Sequence, residues 1–223
     1  MVAALALGVA APQSSPAAPA ELFFQGACDA SAAVALDDRW FAAASDEDSR
    51  LRLYDRERGG APAGSLDLGP HLRLAGRSVE TDLEGAARVG DLIFWAGSHG
   101  RNRDGQPRPN RHRLFATRVV PGEPPRLVFE GRPFTGLVAA LAAEPALAEF
   151  DLARAATLSP ETAGALNLES LGAGADGSLL LGFRSPMPGG RALVVPLRNP
   201  VEVIAGRAPV FDPPLRPDLG GRG

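Results

Sequence analysis

Three stretches of this chain are variations on one pattern, and a tandem repeat constrains a fold more tightly than any total does. The fullest copy is TDLEGAARVGDLIFWAGSHG, residues 81–100. It reads as a β-hairpin: a strand over 85–89, a turn at Gly90-Asp91, and a more apolar strand over 92–97. CDASAAVALDDRWFAAASDED from Cys28 and LNLESLGAGADGSLLLGFRSP from Leu166 echo it. Each copy begins on an acidic or amide residue: Asp29, Asp82 and Asn167. Nine residues on stands an aspartate, Asp38, Asp91 and Asp176, and fifteen on a small residue, Ala44, Gly97 and Gly182.

Further strands are predicted around these hairpins. The first unit places them at 32–36, 40–44, 50–54 and 64–68, after a short apolar strand at 21–25. Residues 50–54 alternate Arg-Leu-Arg-Leu-Tyr, the period of a half-buried strand. The second unit adds 113–119 and 126–130, and the third has 169–173, 178–183 and 192–197, with another strand at 201–204. The first two repeat starts are 53 residues apart and the next two 85. The surplus lies in 135–159, rich in alanine and leucine and broken by Pro145, which predicts helices at 136–144 and 146–156 that cap one face. With 26 glycines and 21 prolines in 223 residues, the chain has the turns that many short strands need.

The predicted fold is therefore all-β: a partial β-propeller of about three four-stranded blades over residues 21–223, with a short α-helical insertion at about 135–159. Innermost propeller strands start at the central channel, so Asp29, Asp82 with Glu84, and Asn167 with Glu169 are expected to converge there. Residues 1–20 are set apart as a signal-like or disordered leader. Residues 2–11 are apolar and Ala18-Pro19-Ala20 offers a small-residue cleavage pattern, although a basic start is missing. This makes a periplasmic or secreted location the expectation and a cytoplasmic one the alternative.

Composition removes several chemistries. All 23 basic residues are arginine, so there is no Schiff-base lysine and no phosphate-loop lysine. Cys28 is the only cysteine, which excludes an intrachain disulfide and a multi-cysteine zinc site. The net charge of −3 argues against nucleic acid as a partner. No apolar run approaches the ~20 residues of a transmembrane helix.

The blocks CDASAAVAL, SDEDSRLRLYD, DLEGAARVGD, GSHGRNRDGQPRPNRHRLFATR, LNLESLGAGADGSLLLGFRSPMPGG and DLGGRG resemble the bacterial domain-of-unknown-function family 3616 (DUF3616), from about Cys28 to the end of the chain. The resemblance implies a propeller-like fold and no established activity. Members of that family usually continue past the Gly-Gly-Arg-Gly block, so it also implies a chain shortened at its C-terminus.

Two constellations carry chemistry. The first is the set of acidic and amide residues at the repeat starts. Converging carboxylates repel and shift one another's pKa, and a hard divalent cation such as calcium relieves this through oxygen ligands. The candidate metal ligands are Asp29, Glu84, Asn167 and Glu169. The arrangement is similar to that of calcium-holding six-bladed propeller esterases and lactonases. The structural alternative is pairing with backbone N–H groups or arginines. The second is the stretch from His99 to Arg118, with six arginines, two histidines and one acid. Arg101, Arg111, Arg113 and Arg184 are candidate binders of a small anionic ligand. Folding of the loop back onto Asp46, Glu47, Asp48 and Glu84 is the alternative. His99 and His112 are the candidate catalytic bases. Trp40 and Trp95, close to equivalent in their repeats, are read as packing between blades. Two functions follow: a binding or scaffold propeller whose polar funnel takes a small anionic ligand or cation, or a metal-dependent hydrolase of phosphate or carboxylic esters.

Overall fold

The computed structural model describes residues 21–74, 76 and 80–220; the leader lies outside them. The chain forms three antiparallel sheets in sequence. The first runs β1 (Ala30–Ala35), β2 (Trp40–Ser45), β3 (Arg50–Asp55) and β4 (Gly64–Asp67) in that order. A short helix, α1 (Gly69–Leu72), leads to the second sheet of β5 (Leu83–Val89), β6 (Leu92–Gly97), β7 (Leu114–Val120) and β8 (Arg126–Phe134). The organising hairpin is β5–β6, paired in register from Leu83↔Gly97 to Val89↔Leu92. The third sheet has β9 (Asn167–Ala173), β10 (Leu179–Ser185) and β11 (Leu193–Leu197).

The leading strands gather on one side: β5 lies against both β1 and β9, while the last strands β4 and β8 meet on the other. This is the placement of successive propeller blades, and the fold is mostly β and propeller-like. Strand β6 explains why the sheets stack. Its sequence LIFWAG is buried at every position, as a strand covered on both faces must be. Ile93 and Trp95 enter a core shared with the first sheet, among Leu51, Leu53 and Leu72. Leu92, Phe94 and Ala96 enter the other core, with Leu168, Leu181 and Val195 of the third sheet. Trp40 and Trp95 both belong to the first of these cores, so they do pack between blades.

The third unit departs from the four-stranded plan. Residues 201–204, predicted as a strand, belong to helix α4 (Pro200–Ile204). Pro200 at the first helical position sets the required φ and has no N–H to lose. The outer position of this sheet is taken by residues 210–215, which make only the isolated bridges Leu197↔Phe211 and Val194↔Leu215. Pro209, Pro213, Pro214 and Pro217 cannot donate to a ladder, so no continuous fourth strand forms. The apolar stretch at 21–25 likewise makes only one bridge, Phe24↔Gly60.

The insertion is helical but shorter in its segments than predicted. Helix α2 (Leu137–Ala143) is followed by a 3-10 stretch, Pro145–Phe150, and by α3 (Leu152–Ala155). Asp151 breaks the second predicted helix with a left-handed backbone, φ 43°. Leu137, Leu141, Leu147 and Leu152 all face the core shared by the second and third sheets.

Candidate functional site

The end of β2 and the start of β5 bring three acids together. Carboxylate oxygens of Asp46, Asp82 and Glu84 all lie within 4.8 Å of one another. Glu84 stands on β5, Asp82 just before it, and Asp46 just after β2. Asp29 is exposed at the rim, and its carbonyl accepts from the Asp46 N–H at 3.3 Å. Glu169 of β9 lies near enough for its charge to act on Glu84.

Burial and repulsion act in the same direction on these groups. Desolvation, with the charges of Glu169, Asp82 and Asp46 next, pushes the Glu84 carboxyl up to about 7. Burial also raises Asp82, against the Ser98 hydrogen bond and the Arg111 charge that favour its ionised form. Asp46 is raised by burial and then by Asp29 and Asp82. Its Oδ1 is buried without a hydrogen-bond partner. Glu169 is raised by burial, with Arg184 opposing.

The backbone is shaped to make this gathering. Asp82 and His99 occupy the left-handed region, φ 51° and 57°, which Asp and His tolerate better than most residues. Gly97 ends β6 where an added Cβ would meet the Arg111 carbonyl at 2.3 Å and the Thr81 carbonyl at 2.6 Å. Only a hydrogen fits, so the chain at Arg111 closes directly over the strand end. From there Arg111 donates to Asp82 at 2.7 Å and also to Glu80.

Of the predicted metal ligands, Glu84 lies in the three-carboxylate group. Asn167 and Glu169 are engaged with each other: the Asn167 side-chain amide donates to Glu169 Oε1 at 2.6 Å, and Arg184 donates to the same oxygen at 3.0 Å. The Arg184–Glu169 pair runs between neighbouring strands of one sheet, the pairing with arginine that is the structural alternative to a metal. Asp46 was missed as a ligand. It stands seventeen residues after its repeat start, the place His99 holds in the second copy. A comparison by residue type alone conceals that equivalence.

The arginines are largely committed. Arg101 donates to the Ala156 carbonyl at 3.1 Å and the Gly105 carbonyl at 2.8 Å, tying the loop to the insertion. Arg113 donates to the carbonyls of Leu72, Pro109 and His112. Arg184 is the most exposed of the four candidates. The loop does fold back on acids, but on different ones than expected: Arg111 takes Glu80 and Asp82, and Arg103 takes Glu161 at 3.5 Å. Asp48 instead pairs with Arg52 at 2.5 Å.

The two candidate histidines pack on each other. His99 is buried, with Nδ1 2.7 Å from the Gly97 carbonyl and Nε2 without a hydrogen-bond partner. Burial, then the His112 and Arg113 charges, hold it down to about 3. Its ring packs on that of His112, centroids 5.6 Å apart. Burial and the neighbouring Arg113 and Arg101 lower His112 too. Burial and cationic neighbours thus disfavour the charged form of both rings. Among the described residues no carboxylate pairs with either ring.

Residues 29–129 match the model of a family described as Protein of unknown function (DUF3616). Among solved structures, a luciferin-regenerating enzyme is similar at 10% identity with a TM-score of 0.30, over 82% of this chain and 60% of that one. The chain thus spans less than two thirds of that enzyme. No curated protein matches. No helix among the described residues is long and apolar enough to cross a membrane.

Proposed function

Starting from residues 29–129 as DUF3616 sequence, we propose that this chain is a binding module whose acidic basin takes a divalent cation. The observation that carries the reading is the approach of Asp46, Asp82 and Glu84 oxygens to within 4.8 Å of one another. Three carboxylates at that spacing repel one another, and burial, with the charges of Glu169, Asp82 and Asp46 next, raises the Glu84 carboxyl to about 7. A cation in their midst would reverse the repulsion. The donors are all hard oxygens, which suits calcium, with Asp29 and Glu169 adding negative charge from the rim. The basin favours a cation over the anionic ligand also considered for the funnel, because the arginine nearest to it is already bound to acids.

The test is calorimetric titration of the EDTA-stripped chain with calcium chloride and with magnesium chloride, alongside thermal unfolding. The expected result is one ion per chain and a rise in melting temperature. At a hundredfold excess over Kd the stabilisation is about 2.7 kcal/mol. Glu84→Gln and Asp46→Asn each weaken binding at least tenfold. No heat and no thermal shift at millimolar calcium would remove the proposal. An exported location, inferred from the apolar residues 2–11, belongs to this reading. Extracellular calcium modules bind at about 10⁻⁴–10⁻³ M, and cell fractionation tests the location.

A further inference from the structure

We infer a second, separate site that binds a small organic anion in the groove between α1 and β8. The groove encloses about 470 Å³ and is walled by Arg73, Arg113 and Arg132, with His71 and Phe129. A volume of that order suits a small ligand.

Arg113 is the centre of the argument. It is buried at 8% exposure, and burial alone displaces its pKa, downward. Among the described residues no carboxylate pairs with it; its three hydrogen-bond partners are the carbonyls of Leu72, Pro109 and His112. A buried cation without a counter-charge is costly. Its charge is also felt by His99 and His112, and disfavours the charged form of both. Arg73 and Arg132 add two exposed guanidinium groups to the same groove, and no ion pair of either is found among the described residues. The groove thus brings three guanidinium groups together, none of them paired with a carboxylate among the described residues.

The backbone is built to make this wall. The ladder between β7 and β8 jumps from Leu114↔Phe134 to Ala116↔Glu130. The bulge this creates turns Gly131, Arg132 and Pro133 into the groove. Gly131 has φ 69°, and an added Cβ would stand 2.7 Å from the Ile204 carbonyl, so the bulge is held against α4. On the floor, the His71 ring stacks on Phe129, centroids 4.8 Å apart and planes 6° from parallel. The ligand class follows: a phosphate or carboxylate head for the guanidinium groups, carried on a compact apolar or planar body that rests on His71 and Phe129.

Phenyl phosphate, benzoate and inorganic phosphate are the probes, titrated into the full chain in EDTA so that the cation basin is silent. Saturable binding of phenyl phosphate is expected, at least fivefold tighter than inorganic phosphate and weakening with salt. If benzoate binds as well as phenyl phosphate, a carboxylate head is assigned; if only phenyl phosphate binds, a phosphate head. The Arg73→Ala/Arg132→Ala variant changes exposed residues only and should lose at least tenfold in affinity while melting like the parent. Glu84→Gln should bind the probe unchanged. Absence of binding by all three probes at 10 mM overturns the inference, as does a double variant that binds like the parent. Loss of probe binding in Glu84→Gln does so too, because it moves the anion to the basin.

Discussion

Arg111 donates to Asp82 across 2.7 Å, with side chains only 15% and 11% exposed, and the same guanidinium holds Glu80. One cation therefore restrains the acids at the entrance of the second sheet. Removing one partner of a nearly buried pair leaves the other uncompensated. Arg111→Met is expected to destabilise the fold by about 3 kcal/mol. Asp82→Asn in that background should cost less than it does alone. Urea unfolding of the two single variants and the double gives the coupling.

Glu84 sets a pH dependence of definite sign. Its folded carboxyl is raised from an ordinary 4.5 to about 7. Between those values the folded chain binds more protons than the unfolded one, so this group's contribution makes stability fall as pH rises, levelling off above about 7. His99, held down to about 3, acts oppositely: its contribution is complete above about 6.5 and is lost as the pH falls towards 3. The comparison of parent with Glu84→Gln isolates the first effect. The variant should gain stability relative to the parent as pH goes from 5 to 8. A gap between the two unfolding curves that does not change with pH would contradict the placement of Glu84.

The same carboxyl links pH to cation binding. An ion can use Glu84 only after its proton leaves, so apparent calcium affinity should fall as pH drops below about 7. Titrations at pH 6 in buffers of different ionisation enthalpy should show proton release on binding. At pH 8.5 that release should nearly vanish.

Gly97 is a position where a methyl group has no room, with backbone carbonyls at 2.3 and 2.6 Å from an added Cβ. Backbone cannot yield as a flexible side chain would. Gly97→Ala is expected to cost about 3 kcal/mol. Because the shift falls on Arg111 and Thr81, calcium binding should weaken along with the melting temperature.

Trp95 is fully buried and donates from its indole N–H to the Thr117 hydroxyl at 3.0 Å. Thr117→Val leaves that N–H unpaired in the core, at a cost of about 1–3 kcal/mol. Trp95 emission in the folded chain should be blue-shifted, and its red shift on unfolding should coincide with loss of the far-ultraviolet β signal.

The hairpin at β5–β6 was legible because turn chemistry and apolar run length agree at Gly90-Asp91. Of the three repeat starts only the second, Asp82 with Glu84, enters the close carboxylate group, and its third member, Asp46, follows β2 instead of opening a repeat. What lay outside local pattern was missed. Val201, Val203 and Ile204 suit a strand by residue type, yet Pro200 starts a helix there that packs on β8. Asp46 is one of several acids in a row, and nothing in SDED marks which of them points inward. His99 and His112 looked reactive because histidine can be. Burial beside Arg113, a property of the packed sheets, decides their state.

Strand β6 shares its side chains between two cores, alternate residues to each. The outer sheets therefore lean on a single party wall, and damage to either side of it is felt across the whole molecule. Melting should then be a single cooperative event, since neither flank keeps its own interior once the partition between them is gone.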